Sequence, residues 1–153
     1  MTLSTKVYKK LLQVPEGKIT HHVWKSKVFA GTLRWFSIYV PAQYDEAKPA
    51  ALMVFQDGHA YLDPAGQFRV PVVFDNLIHK KEMPVTIGVF IDPGHKKEKI
   101  PEKRGWKPTP ENRSFEYDTL SQQYANFLLR EIIPEVAKHY NISGDPEMRA
   151  IGG

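Results

Sequence analysis

The stretch AALMVFQDG at residues 50–58 decides the fold class. Its first six residues are apolar without alternation, which is the pattern of a strand buried on both faces of a sheet. A second run of this kind, VTIGVFI at residues 85–91, follows an amphipathic helical pattern at residues 70–80. Because the order is strand, helix, strand, the sequence predicts a right-handed βαβ unit in a mostly parallel sheet.

Further elements are predicted on both sides of this unit. Residues 18–25 and 33–40 are β-rich runs separated by a turn, and we expect them to form antiparallel edge strands. Residues 119–136 carry apolar positions at helical spacing, and residues 119–122 show the capping-box pattern. Pro134 predicts a kink or a new turn within that helix.

The C-terminal stretch RAIGG at residues 149–153 is interpreted as a strand that runs into two glycines. A newly added parallel strand needs a helix to cover it, and none follows in this sequence, so we expect an incomplete fold. The fold class is α/β, with a mostly parallel sheet and antiparallel N-terminal edge strands. We interpret residues 1–16 as an N-terminal extension and residues 17–153 as the N-terminal part of one domain.

The composition is that of an ordinary globular protein, with 42% hydrophobic and 25% charged residues in a chain of 153. The absence of cysteine excludes disulfides, thiolate metal sites and a cysteine nucleophile. No stretch reaches the about 18 consecutive apolar residues of a membrane helix, so no membrane partner is expected. No signal peptide is visible at residues 1–17, which predicts a cytoplasmic protein, or a periplasmic or secreted one whose leader was removed.

The net charge of +4 is concentrated in residues 95–107, which contain six basic residues and two acidic ones. Nucleic-acid binders usually spread basic charge over a face that follows phosphates, so no nucleic-acid partner is expected. We interpret this segment as a solvated, mobile loop. The six histidines lack the spacing of metal ligands, so the sequence predicts no metal site.

The two C-terminal glycines require a backbone that turns tightly or lies close to something else. One interpretation makes Gly153 the first glycine of a G-x-S-x-G nucleophile elbow, whose serine would lie two positions further on. The other interpretation is the phosphate-binding loop of a dinucleotide fold, which also begins with glycines after a strand.

Asp57, Gly58 and His59 follow the first buried strand, at the strand end where α/β folds place ligands. In α/β-hydrolases the loop after the third strand supplies one backbone N–H of the oxyanion hole. Gly58 would allow a tight path that points the His59 N–H inward. The alternative is that Asp57-Gly58 is only a turn dipeptide whose carboxylate accepts backbone hydrogen bonds.

Several blocks of the sequence resemble one family of enzymes. The chain is similar to the enterochelin-esterase-like branch of the serine esterases, which is related to esterase D and the mycolyltransferases. The blocks, in chain order, are FQDGHAY, RVPVVFDNLIHKKEMPVTIGVFIDPG, NRSFEYDTLSQQYANFLLREIIPEV and DPEMRAIGG. The resemblance implies an α/β-hydrolase with a Ser-His-Asp/Glu triad, a small-molecule ester substrate, and neither metal nor organic cofactor.

The resemblance also implies roles for the strand-end residues. It makes the His59 backbone N–H an oxyanion-hole donor, Gly153 the first glycine of the elbow, and Asp57 and Gly58 part of the substrate site. The nucleophile and the other triad residues would lie beyond Gly153. We therefore expect the full-length parent to be a serine carboxylic-ester hydrolase and these residues alone to be inactive.

The block containing Arg113, Glu116 and Tyr117 would border the substrate site at the active-site rim. Arg113 and Glu116 could instead form a structural ion pair at the start of a helix, while Trp106 and Tyr117 could form an aromatic wall for a ligand. A different class of function stays open as well, namely a degenerate esterase or a non-catalytic α/β ligand-binding module.

Overall fold

The computed structural model describes residues 5–96, 98–107 and 109–153. Its elements are five strands, five short α-helices, one π-helical turn and two 3₁₀ turns. In chain order, these are a 3₁₀ turn (Thr5–Tyr8), β1 (Lys18–Lys25), β2 (Leu33–Val40), β3 (Ala51–Gln56), α1 (Gly58–Leu62), α2 (Val70–His79), β4 (Thr86–Ile91), α3 (Arg113–Asp118), α4 (Gln123–Phe127), a π-helical turn (Leu128–Ile132), α5 (Ile133–Ala137), a 3₁₀ turn (Pro146–Met148) and β5 (Arg149–Gly152).

The described strands form one mixed sheet in the order β1-β2-β4-β3-β5. β3 is parallel to both β4 and β5, whereas β1 pairs with β2, and β2 with β4, in antiparallel fashion. All six residues of β4 are buried, as expected for the central strand of a sheet that is covered on both faces. The predictions of a mostly parallel core and of antiparallel N-terminal edge strands are confirmed.

Helices cover the sheet from both sides. On one face α2 packs its apolar residues, among them Phe74 and Ile78, against Tyr39, Phe55 and Phe90 of the sheet. On the other face, residues of α4, the π-helical turn and α5 complete a larger cluster that contains Phe127, Ile132 and Val136. Because β3, β4 and β5 are parallel, their carboxyl ends lie at the same edge of the sheet.

The helix predicted in residues 119–136 is confirmed from Gln123 onwards, whereas its predicted start at residues 119–122 is wrong. The capping-box pattern forms no cap, since Ser121 Oγ accepts from Gln123 N–H (3.2 Å) before the helix starts, and Leu120 is fully exposed. The helical segment begins at Gln123 and is interrupted by the π-helical turn before Pro134. A proline has no N–H to donate, and the wider turn accommodates that loss, so the predicted new turn at Pro134 is confirmed.

The N-terminal segment is attached to α2. Asn76 Nδ2 donates to the carbonyl oxygens of Val7 and Lys9, and Asp75 Oδ1 accepts from the Gly17 N–H (2.8 Å). A cavity of about 310 Å³ is lined by this segment and by α2. In the described part of the chain, no helix has both the length and the apolar character to cross a bilayer.

A fully buried ion pair fixes α3 to the sheet. Arg34 on β2 donates through two nitrogens to the two carboxylate oxygens of Glu116, and both side chains have no exposed surface. Glu116 also accepts from Asn112 Nδ2 (2.8 Å) and from the Gly94 N–H (3.2 Å). Glu116 therefore connects α3 both to β2 and to the loop that follows β4.

We expect Glu116→Gln to lower the free energy of unfolding by about 3–5 kcal/mol, because it leaves the Arg34 guanidinium buried without a counter-charge. The control is Lys138→Gln, which breaks the more exposed Lys138–Glu135 pair and should cost about 1 kcal/mol or less. Urea denaturation of both variants measures the difference. Equal, small losses in the two variants would contradict a structural role for the buried pair.

Candidate active site

Asp57 turns the chain directly after β3. Its backbone has φ 51° and ψ 46°, in the left-handed region that aspartate tolerates better than most residues. Its carboxylate is held by Arg113 through a two-point contact, with Nε at 2.9 Å and Nη2 at 2.6 Å. This carboxylate was predicted to accept backbone hydrogen bonds. Instead, both of its oxygens accept from the Arg113 side chain on α3.

Arg113 lies between two aromatic rings. Its guanidinium carbon lies 5.7 Å from the centre of the Trp106 ring and 5.3 Å from that of the Tyr117 ring. A planar guanidinium suits both a two-point carboxylate contact and stacking on rings. The suggested ion pair between Arg113 and Glu116 is wrong, because each residue pairs with a different partner.

Gly58 is required by a close approach between backbones. A Cβ atom at this position would lie 2.4 Å from the carbonyl carbon of Phe90 and 2.6 Å from the Ile91 nitrogen. The glycine therefore lets α1 start in direct contact with β4. The positive φ of the turn belongs to Asp57 and not to Gly58.

Asp92, directly after β4, is the buried centre of this edge. Its Oδ1 accepts from the His59 N–H (2.8 Å) and contacts His59 Nδ1 (3.0 Å), while its Oδ2 accepts from Arg104 Nε (3.0 Å). Burial by itself would raise the pKa of Asp92, but the hydrogen bonds from His59 and the charge of Arg104 outweigh it and lower that pKa. Asp92 is therefore a carboxylate at neutral pH.

The His59 N–H has a partner in this structure, and its role in an oxyanion hole stays a prediction. This N–H was expected to line an open oxyanion hole, but it already donates to Asp92. The imidazole is nine-tenths buried and meets the Trp106 ring edge-on, with 4.5 Å between ring centres. In this arrangement the ring of His59 packs between Asp92 and Trp106, and its amide is engaged by Asp92.

Glu116 also differs from its prediction as a substrate-binding residue. Its side chain is completely buried, and its oxygens are engaged by Arg34, Asn112 and Gly94. It therefore positions α3 and does not reach a ligand.

Tyr117, the next residue of α3, contacts the turn at Asp57. Its hydroxyl oxygen accepts from the Asp57 N–H (3.3 Å). Burial raises the pKa of Tyr117, so the phenol stays protonated. Tyr117 thus supports the turn at the end of β3.

The basic loop over residues 95–107 contacts the sheet through Arg104 and Pro101, while its described lysines and acidic residues are exposed, as predicted for a solvated loop. The Arg104 side chain is only 15% exposed and reaches Ser37 Oγ on β2 and His21 Nδ1 on β1 (3.1 Å). Trp35 Nε1 donates to the Pro101 carbonyl oxygen (2.9 Å). Lys97, which contributes to the predicted charge of this loop, lies outside the described residues.

His21 shares this network. Burial first, and then the nearby charge of Arg104, lower the pKa of His21, so its ring is neutral at pH 7. A neutral ring can stand beside the Arg104 guanidinium without repulsion.

A cleft of about 530 Å³ opens beside this network. Its walls combine apolar side chains with a few polar ones, a composition typical of small-molecule sites. The lining residues are Ile19, His21, His59, Ala60, Leu62, Asp63, Pro64, Arg104, Gly105 and Trp106.

The two C-terminal glycines lie at the same edge of the sheet. Gly152 pairs with Phe55 in the parallel register of β5 and β3. A Cβ atom on Gly153 would lie 2.7 Å from Gln56 Oε1, so the backbone passes close to the end of β3. Gly153, Asp57 and Asp92 thus directly follow three neighbouring parallel strands.

Sequence reasoning missed Asp92 and Arg104. Asp92 was not singled out from the sequence, although a carboxylate at the carboxyl end of a buried parallel strand is a signal in itself. Arg104 gave no such signal, because it is one of several basic residues in a loop with no periodic pattern.

The sheet order and the position of the site at the carboxyl edge of the strands define the class of this protein. The fold is that of the α/β-hydrolase esterases, which it matches over about half of their chains. A family model described as "Putative esterase" matches residues 28–153. The chain belongs to this esterase family.

Three solved structures illustrate the likeness. A ferulic acid esterase of Anaeromyces mucronatus in complex with ferulic acid has a TM-score of 0.69 at 20% identity, over 96% of this chain and 52% of the other. Enterochelin esterase from Shigella flexneri has a TM-score of 0.66 at 19% identity, over 90% and 29%. A mutant feruloyl esterase module from Clostridium thermocellum, complexed with sinapinate, has a TM-score of 0.61 at 16% identity, over 97% and 48%.

The chain therefore spans about half the length of the two feruloyl esterase structures, and less of enterochelin esterase. A comparison with curated proteins gives no match.

We expect Gly58→Ala to lower the free energy of unfolding by about 1–3 kcal/mol, because the new methyl group meets the backbone of β4. Gly144→Ala is the matched control, since a Cβ there meets nothing within 4 Å and should change stability by about 0.5 kcal/mol or less. Thermal unfolding of both variants measures the difference. If Gly58→Ala were as stable as its control, the close contact between α1 and β4 would be refuted.

Asp92 predicts a pH dependence of stability. Its pKa is lower in the folded state than in the unfolded chain, so its contribution is complete above about pH 5 and is lost as pH falls towards the folded pKa. The wild type should therefore be more stable than Asp92→Asn at pH 7, and this advantage should shrink below about pH 4.

Unfolding free energies measured from pH 3 to pH 7 check this, with Asp118→Asn at an exposed position of α3 as the control. An advantage over Asp92→Asn that does not change with pH would contradict the assigned ionisation.

Proposed function

We propose that this chain is the N-terminal half of a serine carboxylic-ester hydrolase that acts on a small-molecule ester. The observation that carries the proposal is the register of β5 beside β3, which brings Gly152 and Gly153 to the edge that holds Asp57 and His59. A nucleophile elbow needs this position, because its serine must stand at the carboxyl edge of the sheet next to the loop after β3. Membership of the esterase family supports the same proposal.

In the proposed enzyme the serine lies two positions after Gly153, and the triad histidine and acid come from still later residues. The triad histidine takes the serine proton as the serine oxygen attacks the ester carbonyl, and the N–H of the residue after the serine stabilises the resulting oxyanion. The ester C–O bond then breaks, the alcohol leaves with the proton from the histidine, and water hydrolyses the acyl-enzyme to the acid and free serine. The described residues contribute the rigid surroundings of that reaction. Arg113 and Tyr117 hold the turn at Asp57, and Asp92 holds His59 and Arg104 at the cleft wall.

The resemblance assigns a second oxyanion donor to the His59 N–H. For this amide to serve the oxyanion, its hydrogen bond to Asp92 has to break first. Two donors aimed at a tetrahedral intermediate are worth several kcal/mol only when they are already in place. The family role of His59 therefore depends on a rearrangement around Asp92 when substrate binds.

The proposal is tested on the protein extended by the residues that follow Gly153 in its gene. We expect a Ser-x-Gly sequence there, hydrolysis of p-nitrophenyl acetate by the extended protein, and a loss of at least about a thousandfold in kcat when that serine is replaced by alanine. The chain ending at Gly153 should give no turnover above background.

Two results would contradict the proposal. One is a following sequence without Ser-x-Gly. The other is an extended, folded protein that binds the ester without hydrolysing it, which would favour a non-catalytic binding module.

A further inference from the structure

One buried carboxylate that the proposed reaction does not use has an oxygen without a partner. Asp75, on α2, is only 8% exposed. Its Oδ1 accepts from the Gly17 N–H (2.8 Å) and from the Tyr39 hydroxyl (2.7 Å). Its Oδ2 accepts no hydrogen bond from any of the described residues. A buried carboxylate normally meets a cation or further donors, so this oxygen needs an explanation.

Asp75 lines the cavity of about 310 Å³ that is bounded by α2 and the N-terminal segment. This volume lies at the lower end of the range found for small-molecule sites. The rest of the wall is mostly apolar and includes Leu11, Val14, Leu62 and Val72. Apolar walls with one convergent polar group are typical of a pocket that binds a small organic molecule.

The charges around the cavity leave one negative charge unbalanced. Lys10 and Glu16 also line the cavity, but they pair with each other, with Nζ 2.5 Å from Oε1, and both side chains are more than half exposed. Asp75 forms no ion pair with any described residue. Burial raises the pKa of Asp75, and the hydrogen bonds from Tyr39 and Gly17 do not offset it. A positively charged ligand would supply the missing counter-charge.

We propose that this cavity binds a small organic amine, whose ammonium group donates to Oδ2 of Asp75 and whose hydrocarbon part lies on the apolar walls. One ammonium group balances the one unpaired charge and satisfies the one unpaired oxygen. The cavity adjoins the cleft of the candidate active site, since Ile19, Leu62 and Pro64 line both. Binding of the amine to Asp75 does not depend on the proposed esterase function.

Other ligand classes fit the cavity less well. An alcohol can donate to Oδ2 but leaves the buried charge without a counter-charge, and an anion is repelled by it. A metal ion needs several oxygen or nitrogen ligands, and no group of three acidic or histidine side chains among the described residues could hold one.

The test measures the affinity of the 153-residue chain for matched amines and alcohols at pH 7 and low salt. The probes are 2-phenylethylamine and hexylamine, each compared with the alcohol of the same carbon skeleton, 2-phenylethanol and 1-hexanol. An NMR titration follows the amide signal of Gly17, because this N–H donates to Asp75. We expect at least one amine to bind about tenfold tighter than its alcohol. The comparison of the two amines distinguishes an aromatic from an aliphatic hydrocarbon part.

Two variants locate the charge that the amine meets. Asp75→Asn keeps an oxygen that can accept from Tyr39 and Gly17, but it removes the negative charge and should abolish the preference for the amine. Asp118→Asn, at an exposed position of α3, removes a negative charge elsewhere and should keep the preference. A preference that persists in Asp75→Asn would contradict the proposal.

A second pair of variants locates the hydrocarbon part and leaves Asp75 in place. Val72→Phe fills part of the cavity and should weaken binding of the amine at least about tenfold, whereas Val73→Phe changes a neighbour that does not line the cavity and should not. If the wild-type chain binds each amine no tighter than its alcohol, or binds none of the probes, the proposal is overturned whether or not the variants fold. No step of this test requires hydrolysis, so its failure is distinct from a failure of the esterase proposal.

Discussion

The buried carboxylate of Asp92 is the constraint on which this end of the molecule depends. A charge at the end of the central strand has to be paired or neutralised, because its desolvation is costly. His59 pairs with it from the start of α1, and Arg104 pairs with it from the long loop that follows β4. The start of α1 and the long loop thereby acquire fixed positions at the edge of the sheet.

A second buried carboxylate, that of Glu116, does the same for α3. Its pairing with Arg34 on β2 sets the helix so that Arg113 reaches Asp57 at the end of β3. The elements around the cleft are thus held by ion pairs between distant parts of the chain. Removing one partner of such a pair strongly lowers the free energy of unfolding, because the remaining charge stays buried without a counter-charge. This explains how short helices and an irregular loop can frame a defined cleft.

Much of the fold follows from local pattern, and much of the site does not. The continuous apolar runs of β3 and β4 predicted a buried parallel pair, and the apolar spacing of residues 70–80 predicted α2, because burial on one or two faces leaves a periodic trace. The pattern at residues 119–122 failed, since the chain there follows α3 and the cap competes with a local turn at Ser121.

The sequence predicts where a candidate site lies, but it does not predict the contacts found there. The strand ends pointed to Asp57 and Gly58, because ligands gather at the carboxyl edge of parallel strands. The partners of those residues lie in loops and helices many residues away in the chain, and no spacing rule predicts them. The hydrogen bond from the His59 amide to Asp92 is one contact that the sequence does not predict. The contact of Arg104 with Ser37 on β2 is another.

The central claim is that Asp92 is kept ionised by His59 and Arg104 and so organises the cleft. The most direct measurement is an NMR titration of the Asp92 side-chain carboxyl carbon in the folded chain. The account predicts a midpoint clearly below the value of about 3.9 for an unperturbed aspartate, with the His59 signals moving at the same pH. A midpoint at or above that value would show that burial outweighs the pairing, and would contradict the account.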